Sequence, residues 1–116
     1  MNRNIFNVNG QPIIGYQGIG GAGTSLSTLT STTALNTEIT ATEDALLCAA
    51  YNATPGAGGL ITLYINGTAF YLFGGTYSSN LQGTVFIPVL KGTKVKASKN
   101  SAITVHSISL IFYQYN

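Results

Sequence analysis

Charge is what this sequence has least of. Only 7% of its 116 residues are Asp, Glu, Lys or Arg, where an ordinary soluble domain carries about 25%. A surface so poor in charge must stay soluble through Ser, Thr and Asn, or be hidden inside an assembly. The net charge of +2 is too small to point to nucleic acid, and none is expected as a partner. Cysteine is scarce too. Cys48 is the single one, which excludes an internal disulfide framework. Within Leu46-Leu47-Cys48-Ala49-Ala50 it reads as a small buried apolar side chain and not as a nucleophile. No stretch approaches the ~18 consecutive apolar residues of a membrane-spanning helix, so no membrane partner is expected. Residues 1–10 hold no apolar run preceded by basic residues, so the expectation is a protein without a signal peptide, made in a host cytoplasm. On that expectation Asn52-Ala53-Thr54 and Asn66-Gly67-Thr68 are turns and not glycan acceptors.

Groups able to do chemistry are equally few. The carboxylates are Glu38, Glu43 and Asp44, and the one histidine is His106. An enzyme needs a placed acid, base or nucleophile. Here no serine sits in a G-x-S-x-G setting that would join His106 and Asp44 into a triad. No catalytic residue, cofactor or metal site is expected. A metal site needs three or four ligands, so His106 could contribute to one only if three copies met on a threefold axis, which the sequence leaves open. Gly18-Ile19-Gly20-Gly21-Ala22-Gly23 matches the dinucleotide-binding spacing, and Glu38 falls twenty residues after Gly18. The context fails, because that motif needs a strand before it and a helix opening on it. The residues that follow are almost all Ser and Thr, an extended connector.

What the chain does have is short strands. Residues 1–35 read as an N-terminal arm and a Gly/Ser/Thr-rich connector. Asn4-Ile5-Phe6-Asn7-Val8 and Gln11-Pro12-Ile13-Ile14 flank Asn9-Gly10, a favoured two-residue turn. A hairpin this small must lean on something. Residues 36–116 read as seven or eight strands separated by turn signals, an all-β antiparallel sandwich of jelly-roll type. Residues 45–51 and 84–90 are apolar nearly throughout, which predicts cover on both faces; Pro88 interrupts the second and cannot donate a ladder hydrogen bond. Residues 60–65 and 69–73 flank Asn66-Gly67-Thr68 as a hairpin. In the last segment the apolar phase slips, from Ile103 and Val105 to Ile108, Leu110 and Phe112. One extra residue near His106-Ser107 would keep both sets inside, so a β-bulge or break is predicted there.

That last segment ends with apolar side chains on both faces. Ile108, Leu110 and Phe112 alternate with Ile111, Tyr113 and Tyr115. A small two-layer sandwich needs one buried face per strand, so the second set is assigned to contact between subunits. Val85-Phe86-Ile87-Pro88-Val89-Leu90-Lys91-Gly92-Thr93-Lys94-Val95, followed by Leu110-Ile111-Phe112-Tyr113, resembles the compact trimeric jelly rolls. These are the tumour-necrosis-factor-like and complement-head-like domains that recur in bacteriophage fibres, spikes and head decorations. The resemblance covers roughly residues 37–116. It implies a homotrimer and a virion structural role, as a head fibre or capsid decoration with its sandwich displayed outward. Ile5, Phe6, Val8, Ile13 and Ile14 of the arm would then anchor it to other virion proteins. Two alternatives stay open: the receptor-binding tip of a phage fibre reading cell-surface glycans, and a non-viral trimeric surface or spore-coat protein. Lys91, Lys94, Lys96 and Lys99 read as a solvated edge or as contacts for an anionic partner. The aromatics Tyr64, Phe70, Tyr71 and Phe73 read as packing or as sugar-stacking surface. Tyr77, Lys94 and Lys96 are the candidate ligand contacts.

Overall fold

Alternation of apolar and polar residues at a period of two gives a strand one face to bury, and the described residues form eight strands. They are β1 (Leu26–Thr32), β2 (Ile39–Thr40), β3 (Ala45–Pro55), β4 (Gly59–Ile65), β5 (Thr68–Gly75), β6 (Leu81–Val89), β7 (Lys94–Lys99) and β8 (Ile103–Tyr115). The computed structural model describes residues 25–76 and 79–115, and among these there is no helix. The arm residues Ile5, Phe6, Val8, Ile13 and Ile14, the glycine motif, and Tyr77 lie outside the described residues. Thr28–Tyr113 form one compact unit.

The strands make two four-stranded sheets, ordered β1-β8-β3-β6 and β2-β7-β4-β5. Neighbours therefore include β1 with β8, β2 with β7, β3 with β6 and β4 with β5, a nested set that is the winding of a jelly roll. The last three of those pairs, and the β3–β8 and β4–β7 pairs, are antiparallel. The sheets pack face to face. Leu47 and Ala49 of β3 and Ile108, Leu110 and Phe112 of β8 come from one sheet, and Leu63 of β4 with Val95 and Ala97 of β7 from the other, in one buried cluster. Ala53, Ile61 and Ile103 form a smaller cluster.

The bulge is where the phase slip put it. Asn52 pairs with Ser107 and Ala53 with Val105, so His106 is the unpaired extra residue. It restores the alternation, and Ile103, Ile108, Leu110 and Phe112 are all buried. The Asn66-Gly67 turn also forms, with φ of 51° and 83°, the positive pair that a tight twisted hairpin requires. Pro88 is accommodated because β6 is an edge strand, at the end of its sheet.

Other segments differ from expectation. Leu26–Thr32, read as connector, is extended but is the strand β1 beside β8. Residues 45–51 and 84–90 are not covered on both faces. On β3 the outward Cys48 and Ala50 are only half-buried, and on β6 exposure alternates along the whole strand. Composition shows that both faces are apolar; it does not show that a second layer covers the outer one. A second bulge, Leu72 of β5, sits between Tyr71 paired with Thr62 and Phe73 paired with Ile61. It left no phase signal, because every residue near it is apolar or aromatic.

Candidate oligomerisation face

The site is the outer surface of β8, β3 and β6, and strand register builds it row by row. Leu46 lies between Tyr113 and Pro88, and Cys48 between Ile111 and Phe86. Ala50 lies between Ser109 and Thr84, and Asn52 between Ser107 and Gln82. The first two rows are apolar and aromatic, the next two small and polar. No Lys, Arg, Asp or Glu stands in any of them. Phe86 is 58% exposed and Leu90, just beyond β6, 72% exposed. Leu46 is already 3% exposed in a single subunit, sunk between Tyr113 and Pro88. Burial pushes the Cys48 thiol above its ordinary pKa, which keeps it neutral among these side chains.

The polar rows hold an open hollow of about 280 Å³ that includes Asn52, Gln82, Ser107 and Ser109 in its lining. Asn52 Oδ1 is buried there without a hydrogen-bond partner, an arrangement that ordinarily calls for a donor from outside. Gly83 lets the Tyr51 ring lie across the strand, since a Cβ at Gly83 would come within 2.6 Å of that ring. Further along, the Thr54 hydroxyl donates to Asn80 Oδ1. With its one hydrogen so used, Thr54 Oγ1 accepts from His106 Nε2 at 2.8 Å. His106 is thus tied to the strand beside its own bulge.

The predicted interface residues Ile111 and Tyr113 sit half-buried in the apolar rows. Tyr115 is 37% exposed at the end of β8, and partial burial raises its phenol pKa. The face adds residues that sequence reasoning left out: Leu46, Cys48, Phe86 and Pro88. Their signal was the in-phase spacing of Phe86 with Pro88 within a run read as wholly buried. Lys94 is exposed, and Lys96 holds its Nζ 5.4 Å from the centroid of the Tyr64 ring. Asp44 Oδ1 accepts from the backbone N–H of Lys91 at 2.9 Å, fastening the β6–β7 loop. Among the described residues, no three of His, Cys, Asp and Glu stand together as metal ligands.

A second surface, part apolar and part polar, lies along the edge made by β6. An open groove of about 410 Å³ there is lined by Ile65, Ile87, Val89 and Leu90 together with Pro88 of the face and the polar Asn66, Lys91 and Thr93, and Phe70 on β5, the edge strand of the other sheet, is 50% exposed. No protein-family model matches the chain, and no curated protein matches it.

Proposed function

We propose that this chain is a virion structural protein without enzymatic activity, a homotrimeric head-fibre or capsid-decoration subunit whose sandwich is displayed outward. The observation that carries the assembly is the outer face of β8, β3 and β6, uncharged throughout and apolar over the rows of Leu46 and Cys48. Interface cores are depleted of charge and enriched in aromatic residues, whereas a free surface of this size ordinarily carries Lys and Glu. A ring of three needs two different patches on each subunit, because only a twofold axis pairs a patch with itself. The face supplies one, and the mixed edge that adjoins it at β6, with Ile65, Ile87 and the exposed Phe70, supplies the other. Covering roughly 300 Å² of apolar and aromatic surface per subunit contributes ~7 kcal/mol before the costs of association.

The virion role is supported by the resemblance to trimeric jelly rolls of phage fibres and decorations, together with the nested strand pairing. The arm, with Ile5, Phe6, Val8, Ile13 and Ile14, is assigned the contact with other virion proteins. Two measurements test this. Size-exclusion chromatography with light scattering should find a trimer, and Ile111→Asp, which places like charges in the face, should give a folded monomer or aggregate. A trimer of unchanged thermal stability would sink the interface. Density-gradient fractionation of a lysate from producing cells should find the chain with particles, and lose it there when residues 1–24 are removed. A chain that never sediments with particles contradicts the virion role.

A further inference from the structure

The outer surface of the other sheet has the opposite composition, and the trimer leaves it without an assigned partner. Val95 and Ala97 of β7 are buried, so Lys94, Lys96 and Ser98 point outward. Register places Lys96 beside Tyr64 of β4 and Tyr64 beside Ala69 of β5; the next row runs Ser98, Thr62, Tyr71. Tyr71 is 72% exposed, on the edge strand. Lys96 lies over the Tyr64 ring. Neither Lys94 nor Lys96 has an ion-pair partner among the described residues. Glu38, one residue before the start of β2, is exposed and forms none with them.

We infer that this face binds an acidic saccharide, with a sugar ring stacked on Tyr71 and its acid group on Lys96 and Lys94. Each requirement of that ligand meets a different feature. The C–H face of a pyranose is apolar and flat, and Tyr71 offers an uncovered flat ring. Thr62 and Ser98, both half-buried in the same row as Tyr71, present hydroxyls that can donate and accept. Lys94 and Lys96 are like charges two residues apart on one strand face; Glu38, one step along the β2–β7 register toward Lys96, makes no ion pair with them, and a carboxylate or sulfate relieves the repulsion between the lysines. From Tyr71 to Lys96 is two strand spacings across the sheet, about 9–10 Å, and one row along it, about 7 Å, a diagonal of about 12 Å that a long lysine side chain and a di- or trisaccharide span together, with Lys94 one row further. The cation–π contact holds Lys96 along the sheet toward Tyr64 instead of out into water. Single-stranded nucleic acid also combines stacking with phosphate contacts, but it uses successive stacking rings along a basic groove. Here the lysines share a flat face with one widely exposed aromatic.

The test titrates the full-length protein with sialyllactose, with lactose, and with oligothymidylate, by calorimetry at low salt. Sialyllactose should bind about tenfold tighter than lactose. Tyr71→Ala should weaken sialyllactose by about tenfold, while Lys94→Gln with Lys96→Gln should bring sialyllactose down to within about twofold of lactose. Light scattering should show all variants in the same oligomeric state as the parent, so a failure here is separable from a failure of the trimer. Equal affinity for the two sugars, binding indifferent to Tyr71→Ala, preference for oligothymidylate, or no binding of sialyllactose at millimolar concentration would each overturn the assignment.

Discussion

Leu47 and Phe112 face each other across β3 and β8, and neither has any exposed surface. Their contact sits in the main buried cluster, so truncation leaves a void that neighbouring strands are too well paired to close. Phe112→Ala should therefore destabilise the fold by about 3–5 kcal/mol, read as a lower urea midpoint. Gly83 is constrained by the opposite effect. A methyl group there meets the Tyr51 ring, which is braced against Phe73 at a centroid distance of 6.2 Å. Gly83→Ala should cost about 1–3 kcal/mol through overpacking, and Gly83→Ala with Tyr51→Leu should recover part of it. Cys48 reports on the face itself. Its thiol pKa is raised in the folded state, so folding favours the protonated form. Whatever stability this contributes is present below the ordinary thiol pKa and is lost as pH rises through the folded value. Labelling of Cys48 by a thiol reagent at neutral pH should be slow in the assembled protein and speed up on dilution to subunits.

Among the elements, β8 depends most on a single residue. Removing His106 would carry Ile103 and Val105 to the outer face, because a one-residue slip exchanges the two faces of a strand. Deletion of His106 should abolish cooperative unfolding. His106→Asn, which keeps the residue count, should melt within a few degrees of the parent. Equal damage from both would mean that the imidazole and its bond to Thr54, and not the bulge, hold this end of the sandwich. The β4–β5 hairpin depends on backbone freedom. Gly67 adopts φ 83° with open space around it, so Gly67→Ala should cost about 1 kcal/mol from strain and not from collision.

For the whole molecule, charge separates the two outer surfaces. The β8-β3-β6 face has none, while Lys94 and Lys96 lie on the other sheet. An assembly closed by an uncharged apolar face gains little from Coulomb attraction. Raising sodium chloride to about 1 M should leave the proposed trimer intact, and sulfate should strengthen it. Sedimentation velocity checks this, and dissociation by salt would contradict an apolar interface.

Much of this architecture was legible in the residue pattern because period-two alternation is a local property. The turn at Asn66-Gly67, the bulge at His106 and the identity of the inward residues of β8 all follow from neighbours a few positions apart. The face was legible only in part: Ile111 and Tyr113 stood out because they made a second apolar phase on one strand. Leu46, Cys48 and Phe86 did not, since a run apolar at nearly every position says nothing about which side stays open. Pairing between distant strands decided that. It placed β6 at an edge, set Phe86 beside Cys48 and Ile111, and left their common surface without a covering layer among the described residues. Similarly, the lysines were visible as a cluster along the chain, but register set Lys96 beside Tyr64 and put Tyr71 in the next row. By itself the sequence determined the Asn66-Gly67 turn, the bulge at His106 and the inward residues of β8. The tertiary structure decided which outward residues become neighbours, because that depends on contacts between strands far apart in the chain.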